Sequence, residues 1–478
     1  MAQDSQAVET AKGSTTGSNK RVSNFFVNIF GLGDFGFQIM VNMELLFFMA
    51  FLTDAVQFDP GTAGLIGAIT GVFDILWVFI AGMIIQKCNF RWGKLRSWLL
   101  LTPLFIWATF VFQFWGLSGN GSLASLLICL GFIVSHLIWN CAYTAHISMI
   151  SAYSDDIQQR ATMSSRRMLG QALGKIVFSL VAVSLIGFFS GPDKLPIGYT
   201  IATAVLTLPM VVCYFVIFVV SKPYEKTQAP GGAGAQATAE KVPVWKSVAN
   251  AARNSQLIVL LIADFGRCFA FYLVTAVTAY YFRVVLGDPG AMTLYLLLIN
   301  VAAAIGALAA PYVTRAIGKK NTYFLGMVGY AACLLLVFLL PSDYMTFMII
   351  MVIASAILQL SFSMGTAMFA DTVIYGEHKT GVNSRGFIMG LYSLPIKTSV
   401  VARASFIGVM LAAMNYVPDA VTPQMVDGIK SLFTVYPAIA LIICALFGYL
   451  LYRLTDKRVT QLSDELAERK NAANQATE

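Results

Sequence analysis

Charge is the scarcest commodity in this chain of 478 residues: Asp, Glu, Lys and Arg together make up only 12% of it. A water-facing protein ordinarily carries about a quarter of its residues in those four types. With 58% hydrophobic residues and a mean hydropathy of +0.72, the chain has too few charges to cover a soluble surface of its size. Intrinsic disorder is excluded too, since it needs low hydrophobicity and high net charge. The short alternating segments that build a transmembrane barrel are missing. Cysteine is sparse and unpatterned. Cys88, Cys129, Cys141, Cys213, Cys268, Cys333 and Cys444 form no CxxC pair and no Cys/His ligand spacing, so they read as free thiols and no metal site is expected. The three histidines belong to no HxxxH or ExxH array. A membrane-embedded enzyme, which needs clustered nucleophiles, paired carboxylates or metal ligands, is therefore disfavoured.

What the chain does have is long apolar runs, at about 24–53, 62–86, 97–116, 122–150, 163–189, 197–220, 256–285, 291–316, 321–340, 343–369, 383–414 and 428–453. A helix closes all its own backbone hydrogen bonds, so apolar runs of about 20 residues span a bilayer as helices. The expectation is an all-α polytopic membrane protein of twelve transmembrane helices. Residues 1–23 are polar and read as a disordered tail. The run that follows is long and lacks a small-residue cleavage site, so it is expected to be a retained helix.

Basic residues set the topology. Lys12, Lys20 and Arg21 precede the first run; Lys87, Arg91, Lys94 and Arg96 follow the second; Arg315, Lys319 and Lys320 follow the eighth. Connections of odd number hold only Lys194, Arg283 and Lys430. By the positive-inside bias both termini are cytoplasmic. The net charge of +8 is thus a topology signal and not a nucleic-acid footprint.

The longest connection, 221–254, contains Ala229-Pro230-Gly231-Gly232-Ala233-Gly234-Ala235, a flexible linker composition. It separates a six-helix bundle at 24–220 from a second at 255–453, with a cytoplasmic tail at 454–478. Arg91-Trp92-Gly93-Lys94-Leu95-Arg96 is echoed by Arg315-Ala316-Ile317-Gly318-Lys319-Lys320 at the equivalent place in the second half. Such basic turns around a glycine brace neighbouring helices, though a generic basic loop would also obey the topology rule. Twelve helices in two parallel repeats is the major-facilitator arrangement, with ligand bound near mid-membrane between the halves.

Ionisable side chains inside hydrocarbon are costly and face a cavity or a partner. Here they are Asp34, Glu44, Asp74, His136, His146, Arg167, Lys175, Asp264, Arg267, Lys397 and Arg403. Asp264 and Arg267, three apart, either neutralise each other or gate. Asp34, near the start of its run, either pairs with basic residues or meets a ligand. Glu44 is deeper and can carry a proton, and Asp74 is the leading candidate for cation coupling. His136, Asn140 and Tyr143 share one helix face and either line a polar cavity or bond between helices. Lys397, after Pro395, needs an anion: a carboxylate of the protein or an acidic ligand.

The Asp74 run with its Arg91–Arg96 turn, Ala370-Asp371-Thr372-Val373-Ile374-Tyr375-Gly376-Glu377, Gly33-Asp34, Asn140-Cys141-Ala142-Tyr143, Arg167 and Tyr280-Tyr281-Phe282 together resemble the glycoside–pentoside–hexuronide:cation symporters over about 24–470. The resemblance implies a cation site at Asp74 and basic sugar- and cation-site residues at Arg167 and Lys397. Arg91, Gly93, Lys94, Asp371 and Glu377 fall to gating. Gln38, Thr144, Phe362 and Ser393 join His136, Asn140, Tyr143, Arg167 and Lys397 as the implied substrate set.

Departures from the family pattern have a direction. A second cation-site carboxylate is Val78 here, two sugar-binding aspartates correspond to Gln38 and Asn140, a stacking Trp to Thr144, and a loop acid to Ile374. Fewer carboxylates beside Arg167 and Lys397 imply an acidic glycoside such as a glucuronide, with neutral glycosides or pentosides the alternative. A single carboxylate suits H⁺ better than Na⁺, which prefers several oxygen ligands; an uncoupled carrier and a channel remain the other readings. No cofactor beyond the co-transported cation is expected. The implied setting is a bacterial inner membrane and a monomer.

Overall fold

The computed structural model describes residues 22–225 and 250–475, apart from 89, 117–120, 155, 192–194, 341–342, 382–384 and 419. Most of the tail 1–23 and of the linker 221–254 lies outside the described residues. All regular elements among the described residues are helices. The membrane helices are α1 (Asn24–Ala55), α2 (Pro60–Lys87), α3 (Arg96–Gln113), α4 (Ser122–Tyr153), α5 (Ile157–Ser190) and α6 (Ile197–Val220). The second half repeats the order with α7 (Ser255–Val285), α8 (Met292–Ile317), α9 (Lys319–Leu339), α10 (Tyr344–Thr380), α11 (Phe387–Ala413) and α12 (Pro423–Leu451). A terminal helix, α13 (Asp456–Gln475), occupies the predicted tail and packs on α10. Eleven of the twelve are long and apolar enough to cross a membrane. The other, α3, has 18 residues, about 27 Å at 1.5 Å per residue, and its ends are polar at Arg96 and Gln113.

Local sequence explains where these helices begin and bend. Asp59 caps α2 by accepting from the backbone N–H of Gly61 and Thr62, and Pro60 takes the first position, where no N–H is needed. Thr422 and Pro423 do the same for α12. The predicted run 383–414 is not continuous: a short helix over Arg385–Gly390 gives way at Leu391–Tyr392 to Ser393–Ala413. Pro395 falls in the first turn of the second piece, where its missing N–H costs nothing.

The packing repeats as the chain does. Helix α1 packs on α5 and α6, and α3 on α4 and α6, while α7 packs on α11 and α12, and α9 on α10 and α12. Between the halves α2 lies on α11, α8 on α5, and α1 on α7. These contacts are those of a twofold repeat with α5 matching α11 and α2 matching α8. The repeat extends to detail. Helices α1 and α7 each end in one π-helical turn, Phe51–Ala55 and Tyr281–Val285, followed by Asp59-Pro60-Gly61 and Asp288-Pro289-Gly290. Close approach of α2 and α11 requires glycine, because a Cβ on Gly64 would stand 2.8 Å from the Gly408 Cα.

Candidate substrate and coupling site

The ionisable groups inside the helices resolve into clusters, and one joins the two halves. Asp74 on α2 is paired with Lys397 on α11. The amide of Asn140 on α4 donates to the other Asp74 oxygen at 3.0 Å. Lys397 lies 5.9 Å from the Trp139 ring. Asp74 is 6% exposed, so its charge depends on these partners and not on water.

A second cluster sits within the first half, toward the face that holds both chain ends. Arg167 grips Asp34 with two bonds of 2.7 and 2.8 Å and also donates to the Tyr143 hydroxyl at 3.0 Å. Gln171 donates to Asp34 at 3.0 Å, and His146 Nε2 lies 3.1 Å from it. The third cluster places His136 Nε2 3.2 Å from Glu44, to which Gln113 also donates at 3.3 Å. Arg403 of α11 lies within electrostatic reach of Glu44 and donates at 3.0 Å across the halves to the Leu45 carbonyl and, within its own half, to the Tyr272 carbonyl. The fourth is internal to the second half: Arg267 bonds Asp264 at 2.6 and 2.9 Å, Tyr323 donates to the same carboxylate, and the guanidinium covers the Phe362 ring at 3.8 Å.

Of the other sequence candidates, Gln38 packs beside Gly174 of α5, and Thr144 is half-buried, its carbonyl accepting from Ser148. Ser393 is half-buried at the break in α11, its hydroxyl donating to the Gly390 carbonyl. Phe362 lies under the Arg267 guanidinium. Arg167 and Lys397, expected from sequence to be cations left over for a ligand, instead each hold a carboxylate, Asp34 and Asp74, contributed by another helix. The amide replacements at Gln38 and Asn140 leave those two acids in place.

At the chain-end face, the two basic turns are braced alike. Gly93 has φ +118°, and Glu225, just after α6, accepts from the Leu95 N–H at 3.0 Å and from the Tyr153 hydroxyl. Gly318 has φ +82°, and Asp456, just after α12, accepts from the Lys319 N–H at 3.1 Å. Lys319 also pairs with Asp371 of α10 at 2.5 Å. Arg91 is exposed and Lys94 half-buried; Glu377 lies one turn before the helix-ending Gly381, whose N–H it receives. Glu225 and Asp456 were not identified from sequence, although each follows its helix end by the same five residues.

At the opposite, distal face the halves are sealed. Asp54 of α1 pairs with Arg283 of α7 at 2.8 Å, Tyr416 donates to Asp54 at 3.0 Å, and the hydroxyls of Thr53 and Tyr280 lie 2.7 Å apart. Sequence reasoning missed this seal as well; the repeated Asp-Pro-Gly after α1 and α7 was the available signal. A cavity of about 700 Å³ opens here among α1, α5, α6, α7 and α8, lined by Phe47, Asp54, Ile186, Tyr199, Arg283 and Met292. Asp74, Asn140 and Lys397 do not line it, so it is a vestibule and not the coupling site.

Two six-helix halves that close at one face around buried, mutually paired charges define a secondary transporter of the major-facilitator class. Solved structures of that class superpose over most of the chain. A bacterial homologue of the lysosomal transporter Spinster, inward-facing and unoccupied, gives a TM-score of 0.67 at 14% identity, covering 90% of this chain and 96% of its own. A D-xylose–proton symporter gives 0.64 at 12% identity, covering 90% and 98%. Residues 29–456 match the family described as MFS/sugar transport protein, and the chain belongs to that family. Among curated relatives, a candidate sulfoquinovose importer of Escherichia coli K12 is 27% identical over 92% of this chain and 93% of its own length. The glucuronide carrier protein homolog of the same strain is 27% identical over 93% and 96%. The isoprimeverose transporter of Lactiplantibacillus pentosus is 22% identical over 92% and 91%.

Proposed function

We propose that this protein imports an acidic glycoside, of glucuronide or sulfonated-sugar type, by symport with H⁺. The observation that carries the acidic substrate is a charge excess deep in the helices. Asp34, Glu44, Asp74 and Asp264 face Arg167, Arg403, Lys397 and Arg267, and Lys175 of α5 is a fifth cation without a carboxylate among the described residues. One uncompensated positive charge in a low-dielectric site is neutralised at least cost by an anion brought in with the substrate. Relatives named for sulfoquinovose and glucuronide, both anions at neutral pH, agree with that sign.

Coupling follows from the cross-half pair. Lys397 and Asn140 satisfy Asp74, and Val78, not a second acid, sits one turn along α2. A proton arriving at Asp74 removes the charge that holds Lys397 and so loosens α2 from α11, the step that lets one half rock against the other. Basic connections support placing the chain-end face in the cytoplasm of a bacterial inner membrane. The test is uptake of p-nitrophenyl-β-D-glucuronide and p-nitrophenyl-β-D-glucoside into vesicles under imposed pH or Na⁺ gradients. The reading requires the glucuronide to be taken up and a pH gradient to drive it. Uptake of the glucoside alone, or drive by Na⁺ alone, overturns it.

A further inference from the structure

The charge excess resolves to a single side chain, and its placement gives it a task. On α5, Leu169, Leu173, Val177, Leu180 and Phe188 form an exposed apolar row of the kind that faces lipid. At 100° per residue the centre of that row lies opposite Lys175. Arg167 and Gln171, on the same stripe toward the chain-end face, reach Asp34 of α1. Ser179, one turn toward the distal face, accepts from Asn300 of α8 at 2.9 Å. Lys175 falls between them, so it points to the seam where the first half meets the second. Ile186, on the same face and farther along, lines the distal vestibule.

The repeat explains why this lysine is alone. Helices α5 and α11 are equivalent, and each carries one lysine, although in different register: Lys175 stands nine residues after Arg166 and Lys397 twelve after Arg385. Lys397 meets Asp74 across the halves on α2. The helix equivalent to α2 is α8, and its antiparallel register, fixed by Asn300 against Ser179, brings Ala304 opposite Lys175. The repeat therefore holds two lysines and supplies an acid to only one.

We infer that Lys175 is the residue that selects the anionic group of the substrate. It stands in the place of the missing carboxylate's partner and takes the ligand's acid as that partner. The inference rests on the acidic-glycoside reading and makes it residue-specific. A charge-assisted bond in a desolvated seam discriminates between an acid and its hydroxymethyl analogue.

The test uses purified full-length protein, with Lys175→Gln and Lys175→Arg beside wild type. The probes are p-nitrophenyl-β-D-glucuronide, its glucoside analogue and the corresponding 6-deoxy-6-sulfoglucoside. In Lys175→Gln, affinity for whichever acid wild type binds is expected to fall about tenfold or more, while affinity for the glucoside holds or rises. Lys175→Arg is expected to retain the acid. Removing an unpaired, half-buried charge should leave the melting temperature of the ligand-free protein unchanged or higher, so loss of folding does not mimic the result. If Lys175→Gln binds the acid as tightly as wild type, the inference falls and the acidic-glycoside reading stands. If wild type binds only the glucoside, both fall.

Discussion

Removing either member of the Asp74–Lys397 pair should cost stability, and removing both should return much of it. Truncating one partner of a fully buried pair costs about 3–5 kcal/mol, and an exposed pair contributes about 1 kcal/mol or less. Asp74 is nearly sealed, while the Lys397 side chain is 19% exposed, which places each single substitution at about 2–3 kcal/mol. Asp74→Asn leaves a buried ammonium facing two amides, its own and that of Asn140. Lys397→Gln leaves a carboxylate held by Asn140 alone. In the double variant neither charge is stranded, and the two amides can bond each other. Thermal or denaturant unfolding of the four proteins in detergent gives the cycle, with an expected coupling of at least about 1 kcal/mol. Transport should separate from stability: the double variant recovers folding but not gradient-driven accumulation, because Asp74 is the coupling acid. Additive effects of the two substitutions, within about 0.5 kcal/mol, would refute a cross-half pair.

Three further expectations follow. Asp54→Asn removes the anion from the distal seal, so cross-linking between cysteines placed at Thr53 and Tyr280 should fall without loss of expression; unchanged cross-linking would mean that the Asp54–Arg283 pair does not hold this face closed. Gly64→Val drives a side chain into the Gly408 backbone. It should abolish transport and lower the melting temperature, whereas Gly82→Ala, with open space around it, should do neither. Arg167→Lys keeps the charge beside Asp34 but loses the two-pronged grip, and should lower stability by about 1–3 kcal/mol in unfolding assays.

Hydropathy made the helices legible because each apolar run must satisfy its own backbone, and basic residues ordered them. Even the marginal run α3 appears in the sequence as an apolar stretch ending at polar residues. The partners were not legible in the same way. Asp34 and Arg167 are 133 positions apart, and Asp74 and Lys397 are 323 apart; no local spacing reveals such contacts. Only Asp264 and Arg267, one helical turn apart, could be matched from sequence. The Asp-Pro-Gly repeat and the acids after α6 and α12 are written in both halves of the sequence. Those signals rest on one or two residues each, too few to stand out in a chain so rich in apolar repeats.

The paired braces at Glu225 and Asp456 bear on how the protein is made. Each clamps the basic turn of its own half from the end of that half's sixth helix, so each bundle is latched before the other is needed. A ribosome that has released α6 has already delivered every part of the first clasp. A chain severed after Glu225 and expressed as two polypeptides keeps both clasps whole, and its reassembly then draws on the helix seams and the distal seal between the halves.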